Sequence, residues 1–348
     1  MYTTARKMMM TLAFCMSFVM VMGACSDNNH EGGNGLPSFT LPQRIAVIDA
    51  GSTGSRLKVY EIKADSTIER LFPATAEEKK KSKGGALSKV ANQTDSVRKY
   101  LEQMTAKYTR STGEVIPLYV LATAGMRHQD KDKANGVYAK MASISETMNG
   151  FKVQQAMTIS GRYEGLYAWI AANYENHTLT KTPVGTLEIG GMSMQVAFAT
   201  TSTAVPTDYK ITRHDWGTLY CKSYLNGGMD AIYEQTPDTL PFQFTLPIED
   251  ISAYSGNTSF FGCSTGVVKT LNGIEQAGSP EAYAQTLPRS DRYHNFMCAY
   301  YVPWVVENLH LTNRIIADPY DTDWTEGAVY DIVINRQTPE PFDYVKAL

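Results

Sequence analysis

The first strong pattern along the chain is an apolar run over residues 45–48 that ends in an acid, Asp49. A turn of small residues at 51–54 follows, and apolar and polar positions then alternate from Leu57. This pattern predicts a β-hairpin with a carboxylate at the end of its first strand. Glycines let a turn point several backbone N–H groups the same way, and such a turn binds oxyanions. The stretch therefore predicts either a metal-bound phosphate site or an ordinary glycine-rich turn.

The same layout returns at residues 184–198, where Glu188 follows an apolar run and precedes a second glycine-rich turn. When Glu188 is set against Asp49, Gly190 falls on Gly51. Two such turns in register indicate duplicated lobes that face each other across a cleft. Two phosphate-binding turns, each with an acid, would hold a metal-bound polyphosphate from both sides.

Helical and extended patterns alternate between the two hairpins. Residues 94–107 have helical spacing, 116–122 form a strand, a helix stops at Gly150, and a strand at 151–159 leads into a helix at 164–174. This alternation predicts an α/β protein, in which ligands lie beyond the carboxyl ends of the strands.

The last third of the chain carries weaker signals. Residues 220–234 and 293–309 are predicted to be partly helical, with Pro303 kinking or breaking the second stretch. A further helix is predicted to start at Asp323 as its N-cap, with the Glu326 side chain reaching back.

The amino terminus has the layout of a targeting segment. Arg6 and Lys7 precede an uncharged stretch at residues 8–22, which predicts a secretory signal peptide over residues 1–24. Small residues before Cys25 resemble a bacterial lipoprotein box, in which Cys25 carries the lipid. The polar, glycine-rich residues 25–43 are typical of a flexible tether. We therefore expect an exported chain, lipid-anchored in the bacterial cell envelope on its periplasmic or surface side.

Charge and cysteine content narrow the classes of partner. The formal net charge of −3 and the lack of a basic face argue against nucleic acid. Three cysteines follow the predicted anchor, at positions 221, 263 and 298, and they allow at most one intramolecular disulfide. Their spacing matches no zinc pattern, and the sequence does not decide which two would pair. The oligomeric state also stays open.

An ordered series of motifs, from about residue 45 to residue 330, resembles a known family of enzymes. Residues 49–56, 122–127, 164–174 and 188–195 resemble the first four conserved regions of the ectonucleoside triphosphate diphosphohydrolases, the apyrase family of the actin and sugar-kinase superfamily. Residues 223–228 and 324–328 resemble weaker late motifs. The resemblance implies two ribonuclease-H-like lobes with the active site in the cleft between them. Lobe I would comprise residues 44–161 plus about 313–348, and lobe II residues 162–312.

The resemblance also implies a reaction and a set of site residues. The reaction is hydrolysis of nucleoside tri- or diphosphates with Mg²⁺ or Ca²⁺, releasing phosphate. Glu164 would be the general base, with Ser193 and Gln195 holding the attacking water. Asp49 and Glu188 would hold the metal through its coordinated waters. The implied phosphate-binding residues are Ser52, Thr53, Gly54, Ser55, Arg56 and Thr123 from one lobe, and Gly190, Gly191 and Met192 from the other.

Four positions depart from the family pattern, and one of them is Tyr163, which stands where many relatives have a second acid. Glu188 replaces the usual Asp, and Met192 and Met194 replace smaller residues beside the second turn. Two alternatives therefore stay open. One is an enzyme like the exopolyphosphatases and guanosine pentaphosphate phosphohydrolases, and the other is a catalytically decayed nucleotide-binding lipoprotein.

Overall fold

The computed structural model describes residues 43–90, 94–175, 177–179, 181–236, 240–262, 265–288, 292–320 and 322–345. The predicted signal peptide, the predicted lipidation site Cys25 and nearly all of the predicted tether lie outside these residues. Cys263 lies outside them as well, so the disulfide question stays open. Within the described ranges, no helix combines the length and apolar character that a bilayer span requires.

A first mixed sheet occupies the amino-terminal half of the described chain. Its strands are β1 (Gln43–Ala50), β2 (Ser55–Ile62), β3 (Ile68–Phe72), β4 (Lys83–Gly84), β5 (Ile116–Ala122) and β6 (Phe151–Thr158). The order is β3-β2-β1-β5-β6, with β4 beside β2. The strand β2 runs antiparallel to both β1 and β3, whereas β5 and β6 continue the sheet in parallel with β1.

Helices pack against this sheet because their apolar residues recur on one face. The helices of this half are α1 (Ala76–Lys81), α2 (Leu87–Val90), α3 (Thr94–Thr105), α4 (Ala124–Arg127) and α5 (Lys131–Thr147). On α3, the helical spacing of Val97, Leu101 and Met104 places all three side chains in the core of the sheet. On α5, Val137 and Met141 do the same.

A second sheet follows in the remaining chain. Its strands are β7 (Gly185–Ile189), β8 (Ser193–Thr200), β9 (Lys210–Arg213), β10 (Gly217–Leu225), β11 (Phe260–Gly262) and β12 (Ile315–Ala317), in the order β12-β11-β7-β8-β10-β9. The accompanying helices are α6 (Gly161–Glu175), α7 (Met229–Gln235), α8 (Ser252–Ser255), α9 (Thr265–Ala277), α10 (Pro280–Thr286), α11 (Arg292–Asn308) and α12 (Trp324–Val329). A 3₁₀ turn (Thr207–Tyr209) precedes β9, and a π-helical turn (Tyr330–Ile334) continues α12.

The two sheets repeat one arrangement. In each, an antiparallel hairpin and a third strand (β1-β2-β3, then β7-β8-β10) are extended by two parallel strands (β5-β6, then β11-β12) next to the first strand. The duplication predicted from the two glycine-rich turns is therefore present in the fold. The predicted α/β class, with two equivalent sheets, is confirmed.

Helices α6 and α12 cross each other at very short range. A Cβ added to Gly327 would lie 1.9 Å from the carbonyl oxygen of Tyr167, so only glycine fits at this crossing. After α12, the chain pairs Pro341 with Ile159 at the end of β6. The lobe boundaries at residues 161 and 313 stay a prediction, and β12, which follows the second of them, pairs in the second sheet.

Residues 220–234 are partly helical, as predicted. The helical part begins at Met229, whereas the part up to Leu225 is strand β10. Its aromatic spacing suggests a helix, but pairing with both β8 and β9 fixes it as an inner strand. Pro303 lies inside α11 and does not break the helix, and a kink at this residue stays a prediction.

The helix start predicted at Asp323 is partly confirmed. Asp323 caps α12 by accepting a hydrogen bond from the Thr325 backbone N–H. The Glu326 side chain does not follow the prediction, because it forms a hydrogen bond with the carboxyl group of Glu175.

Candidate active site

Asp49 lies near the end of β1, beside the first glycine-rich turn. In the β1–β2 ladder it stands opposite Arg56, so that residues 51–54 close a tight turn next to its carboxylate. The helix α4 packs directly on this turn, because a Cβ on Gly125 would lie 2.7 Å from the Cα atom of Ser52. Glycine alone permits this approach, which places the start of α4 against the turn.

Glu188 takes the equivalent place in the second sheet. It stands opposite Gln195 in the β7–β8 ladder, as Asp49 stands opposite Arg56 in the first. In both ladders the two paired residues are the same number of positions apart along the chain. The alignment of Glu188 with Asp49, predicted from the sequence, is therefore confirmed.

The second turn is fixed by backbone hydrogen bonds. The Gly190 N–H donates to the Ser193 carbonyl over 2.9 Å, which closes the turn. The Gly191 carbonyl accepts hydrogen bonds of 2.8 Å from the Asp230 N–H and 3.1 Å from the Ala231 N–H, at the start of α7. The turn is thus held by the first backbone N–H groups of α7, which have no partner within the helix.

The two turns face each other. A Cβ on Gly191 would lie 2.9 Å from Oγ of Ser52 and 3.3 Å from Cγ2 of Thr53. A single cavity of about 360 Å³ lies at this junction. Its charged lining residues are Asp49, Arg56, Lys58, Glu164, Glu188 and Asp323. Its other lining residues include Ser52, Thr53, Thr123, Gly190, Gly191, Met192, Ser193 and Trp324.

Glu164 enters this cavity from the first turn of α6. Its side chain is 9% exposed and pairs with Arg127, whose Nη2 lies 2.6 Å from Oε2 of Glu164. Arg127 is buried in turn, and its Nε donates to the Ile159 carbonyl over 3.0 Å. The carboxylate is therefore held in one orientation by a side chain that is itself fixed.

Gln195 provides a second contact to Glu164. Its Nε2 lies 3.2 Å from Oε2 of Glu164, 2.8 Å from Oγ of Ser193 and 3.1 Å from Oγ of Ser223. All three predicted catalytic residues thus belong to one hydrogen-bonded group, and strand β10 adds Ser223 to it.

Burial and crowding raise the pKa values of the carboxyl groups in the cavity. Burial raises the pKa of Glu164, and the Arg127 guanidinium opposes that rise. Burial, together with the negative charges of Glu164, Asp323 and Asp49, raises the pKa of Glu188 to about 8. Burial also raises the pKa of Asp49, and Lys58 acts against it. Such shifted carboxyl groups in one cleft are typical of a functional site.

Lys58 forms the centre of an ion-pair group that sequence reasoning missed. Its Nζ lies 2.5 Å from Oδ2 of Asp323 and 3.5 Å from Oδ2 of Asp49. Burial alone would raise the pKa of Asp323, but Lys58 and hydrogen bonds from Thr325 lower it to about 2. Asp323 therefore stays ionised.

Most predicted site residues line the cavity, but Gly54, Ser55 and Gln195 are not among its lining residues. A Cβ on Gly54 would lie 2.8 Å from the Gly84 carbonyl, because Gly54 packs on β4. The Ser55 hydroxyl is buried and accepts a hydrogen bond of 2.7 Å from Tyr100. The Ser55 side chain therefore contacts Tyr100 and not the cavity, and the role of Ser55 in phosphate binding stays a prediction.

The residues that were missed are Lys58, Arg127, Ser223 and Asp323. Lys58 had a readable signal: it follows Arg56 by two positions in β2, and so shares its face with Asp49 across the ladder. Asp323 had none, because its partner lies 265 residues away.

The donor set suits a hard divalent cation held through water. Among the residues described, no three His, Cys, Asp or Glu side chains are grouped so that they could ligate a metal directly. Carboxylate oxygens, which Mg²⁺ and Ca²⁺ favour, are present on both sides of the cavity at Asp49 and Glu188. Mg²⁺ keeps several of its waters in such sites, so the residues fit a metal that is bound indirectly.

A cleft between two facing glycine-rich turns, with a buried carboxylate in it, is the arrangement expected of a class of phosphohydrolases. Comparison with protein families agrees: residues 43–239 match the GDA1/CD39 (nucleoside phosphatase) family, and the chain belongs to this family. The resemblance to the apyrase family is thereby confirmed.

Two curated relatives of this chain are named as nucleoside phosphohydrolases. The chain is 27% identical over 270 residues to ectonucleoside triphosphate diphosphohydrolase 1 of Mus musculus, covering 69% of this chain and 50% of that protein. It is 28% identical over 268 residues to the nucleoside-triphosphatase of Pisum sativum, covering 68% and 58%. The chain thus spans about half the length of the curated relatives it matches.

Among solved structures, a Ppx/GppA family member from Aquifex aeolicus aligns with a TM-score of 0.46 at 15% identity, covering 85% of this chain and 99% of that one. A likeness of this size carries no argument about function.

Proposed function

We propose that this protein is a metal-dependent hydrolase of nucleoside tri- and diphosphates that releases inorganic phosphate. The observation that carries the proposal is the position of Glu164. Its fixed carboxylate lines the same cavity as both glycine-rich turns. Ectonucleoside triphosphate diphosphohydrolases depend on a divalent cation, which agrees with the carboxylates on both sides of the cavity.

Glu164 acts as the general base. Arg127 and Gln195 both donate to its Oε2, so Oε1 is the oxygen that takes a proton from water. The resulting hydroxide attacks the terminal phosphorus, the bond from that phosphorus to the bridging oxygen breaks, and the shortened nucleotide leaves with the bridging oxygen. The attacking oxygen becomes part of the released phosphate. Phosphoryl transfer needs mainly alignment and charge neutralisation, which the two turns and the buried side chains supply.

The other residues orient the reactants. Ser193, fixed by Gln195, accepts a hydrogen bond from the attacking water or donates one to it. Ser52, Thr53 and Thr123 bind phosphate oxygens from one side, and the backbone of residues 190–192 binds them from the other. Asp49 and Glu188 would hold Mg²⁺ or Ca²⁺ through coordinated waters, and the cation would neutralise phosphate charge.

A phosphate-release assay on residues 26–348 tests the proposal. Substrates should include tri- and diphosphates of several nucleosides and polyphosphate, each with Mg²⁺, Ca²⁺ or EDTA. We expect metal-dependent release from nucleotides. Preference for polyphosphate would point to the exopolyphosphatase alternative, and binding without turnover on any substrate would point to a decayed nucleotide-binding lipoprotein.

We further propose that the protein is exported and anchored in the cell envelope through lipid on Cys25. The support is the sequence layout of residues 1–25. In a bacterial host, the full chain should fractionate with membranes and the Cys25→Ser variant should not. Equal membrane association of both would contradict the anchor.

A further inference from the structure

Lys58 is a buried cation in the middle of the candidate site. Only 4% of its side chain is exposed, and its ammonium group lies between the carboxylates of Asp49 and Asp323. Asp323 is fixed from the other side, since its Oδ1 accepts hydrogen bonds of 3.0 Å from the N–H of Thr325 and 2.7 Å from its hydroxyl. Tyr60 holds that hydroxyl at 2.7 Å. The pair thus joins strand β2 to the start of α12.

The charges around the cavity are nearly balanced. Four carboxylates line it, and Glu164 is already paired with Arg127. Lys58 and Arg56 remain to balance the charge of the other three carboxylates. Arg56 is the more distant partner of Asp49, with its Nη1 3.8 Å from Oδ2 of Asp49. Lys58 therefore provides most of the positive charge that opposes Asp49 and Asp323.

This placement affects two ligands in opposite directions. A free divalent cation is attracted by the carboxylates and repelled by the Lys58 ammonium. A metal–nucleotide complex still carries net negative charge, so the same ammonium favours it. Because no three acids among the described residues are grouped to ligate a metal directly, phosphate oxygens of the nucleotide, together with waters, would complete the coordination.

We propose that Lys58 is a built-in counter-cation of the cleft, which weakens binding of a free divalent cation and favours binding of the metal together with its nucleotide. The proposal rests on the proposed function for the identity of the nucleotide. The effect of Lys58 on a free cation depends only on the charges of the cleft side chains and needs no nucleotide. Lys58 is thus a residue that determines which form of the metal enters.

Four proteins test it: the parent chain, Lys58→Met, Asp323→Asn and the double variant. Lys58→Met removes one positive charge from the group, Asp323→Asn removes one negative charge, and the double variant has the parent's net charge. Asparagine is also a good N-cap, so Asp323→Asn should preserve the start of α12. Calorimetry with Ca²⁺ alone, without nucleotide, gives the affinity of each.

We expect Lys58→Met to bind Ca²⁺ most tightly and Asp323→Asn to bind it most weakly. The parent and the double variant should have equal, intermediate affinity. Each step should be roughly tenfold or more, given the short distances between the charges. With Mg²⁺ and a non-hydrolysable ATP analogue, Lys58→Met should instead bind roughly tenfold more weakly than the parent. Opposite changes for the two ligands are not expected from a merely structural lysine.

Several results would overturn the proposal. They are unchanged or weaker Ca²⁺ binding by Lys58→Met, no detectable Ca²⁺ binding by that variant, or weaker binding of both ligands. If Lys58→Met does not fold, the double variant compared with Asp323→Asn tests the same lysine removal, and it must bind Ca²⁺ more tightly. The Ca²⁺ titrations involve no turnover, so absence of phosphate release from the parent would refute the proposed function without deciding this one.

Discussion

Arg127 has two effects on the proposed base. Its guanidinium lies 2.6 Å from the Glu164 carboxylate, so it orients that group and also opposes the rise of its pKa on burial. Arg127 is held by the Ile159 carbonyl, at the end of β6. The orientation of the base therefore depends on the first sheet as well as on α6.

This geometry predicts the pH dependence of the reaction. Glu164 must be ionised to accept a proton, and burial raises its pKa, so kcat should fall as the pH falls through a value above that of an ordinary glutamate. Arg127→Met should move this fall to higher pH, whereas Arg127→Lys, which keeps the charge, should move it less. Profiles of kcat against pH measure the shift, and identical profiles for Arg127→Met and the parent would contradict the role of Arg127.

Ser52 and Ser55 provide a matched comparison. Ser52→Ala should raise KM for the nucleotide, because its hydroxyl faces the second turn. Ser55→Ala should leave KM unchanged but leave the buried Tyr100 hydroxyl unpaired, lowering the free energy of unfolding by about 1–3 kcal/mol. Kinetics and urea denaturation distinguish the two, and a larger KM effect at Ser55 than at Ser52 would show that Ser55 takes part in phosphate binding.

The helix crossing of α6 and α12 positions Glu164 relative to both sheets. At this crossing, Gly327 touches the Tyr167 backbone one turn after Glu164. A displaced α6 would move Glu164 away from Arg127 and Gln195. The crossing should therefore affect both stability and activity.

Gly327→Ala tests the crossing. The added methyl group overlaps a backbone carbonyl, so we expect a loss of about 1–3 kcal/mol in the free energy of unfolding, together with lower kcat. Gly136→Ala is the control, because this exposed position in α5 has open space around it and alanine should stabilise the helix by up to about 1 kcal/mol. Equal effects of the two substitutions, measured by urea denaturation, would argue against a close crossing.

Some helices and strands could be predicted from the sequence and others could not. Both hairpins, α3, α5 and α6 were predictable, because their periodicity reflects which side chains the sheets bury. Strand β10 was not, since its spacing is ambiguous and pairing with β8 and β9 decides it. The Lys58–Asp323 pair joins residues 265 positions apart, so no local pattern could reveal it.

Stability should also depend on pH through the carboxyl pair of Glu326 and Glu175. Burial, with a hydrogen bond to Glu175, raises the pKa of Glu326 to about 9. The folded protein then binds a proton that the unfolded chain releases above the ordinary glutamate value. The free energy of unfolding should therefore fall as the pH rises towards 9.

Glu326→Gln removes this titration. The variant should lose less stability than the parent between pH 6 and pH 9, because glutamine keeps a hydrogen-bond donor without becoming charged. Urea denaturation at several pH values measures the difference between the two proteins. Parallel pH dependence in both would show that Glu326 does not retain a proton in the folded state.

The duplicated sheets, the facing turns and the fixed carboxylate together support one reaction centre. Rates of metal-dependent phosphate release by Glu164→Ala and by Glu102→Ala, an exposed control on α3, test that centre. General-base catalysis contributes about 10²–10⁴-fold, so we expect kcat of Glu164→Ala to fall by about that factor while Glu102→Ala keeps the parent rate. If Glu164→Ala stayed within a few-fold of the parent, Glu164 would not be the base.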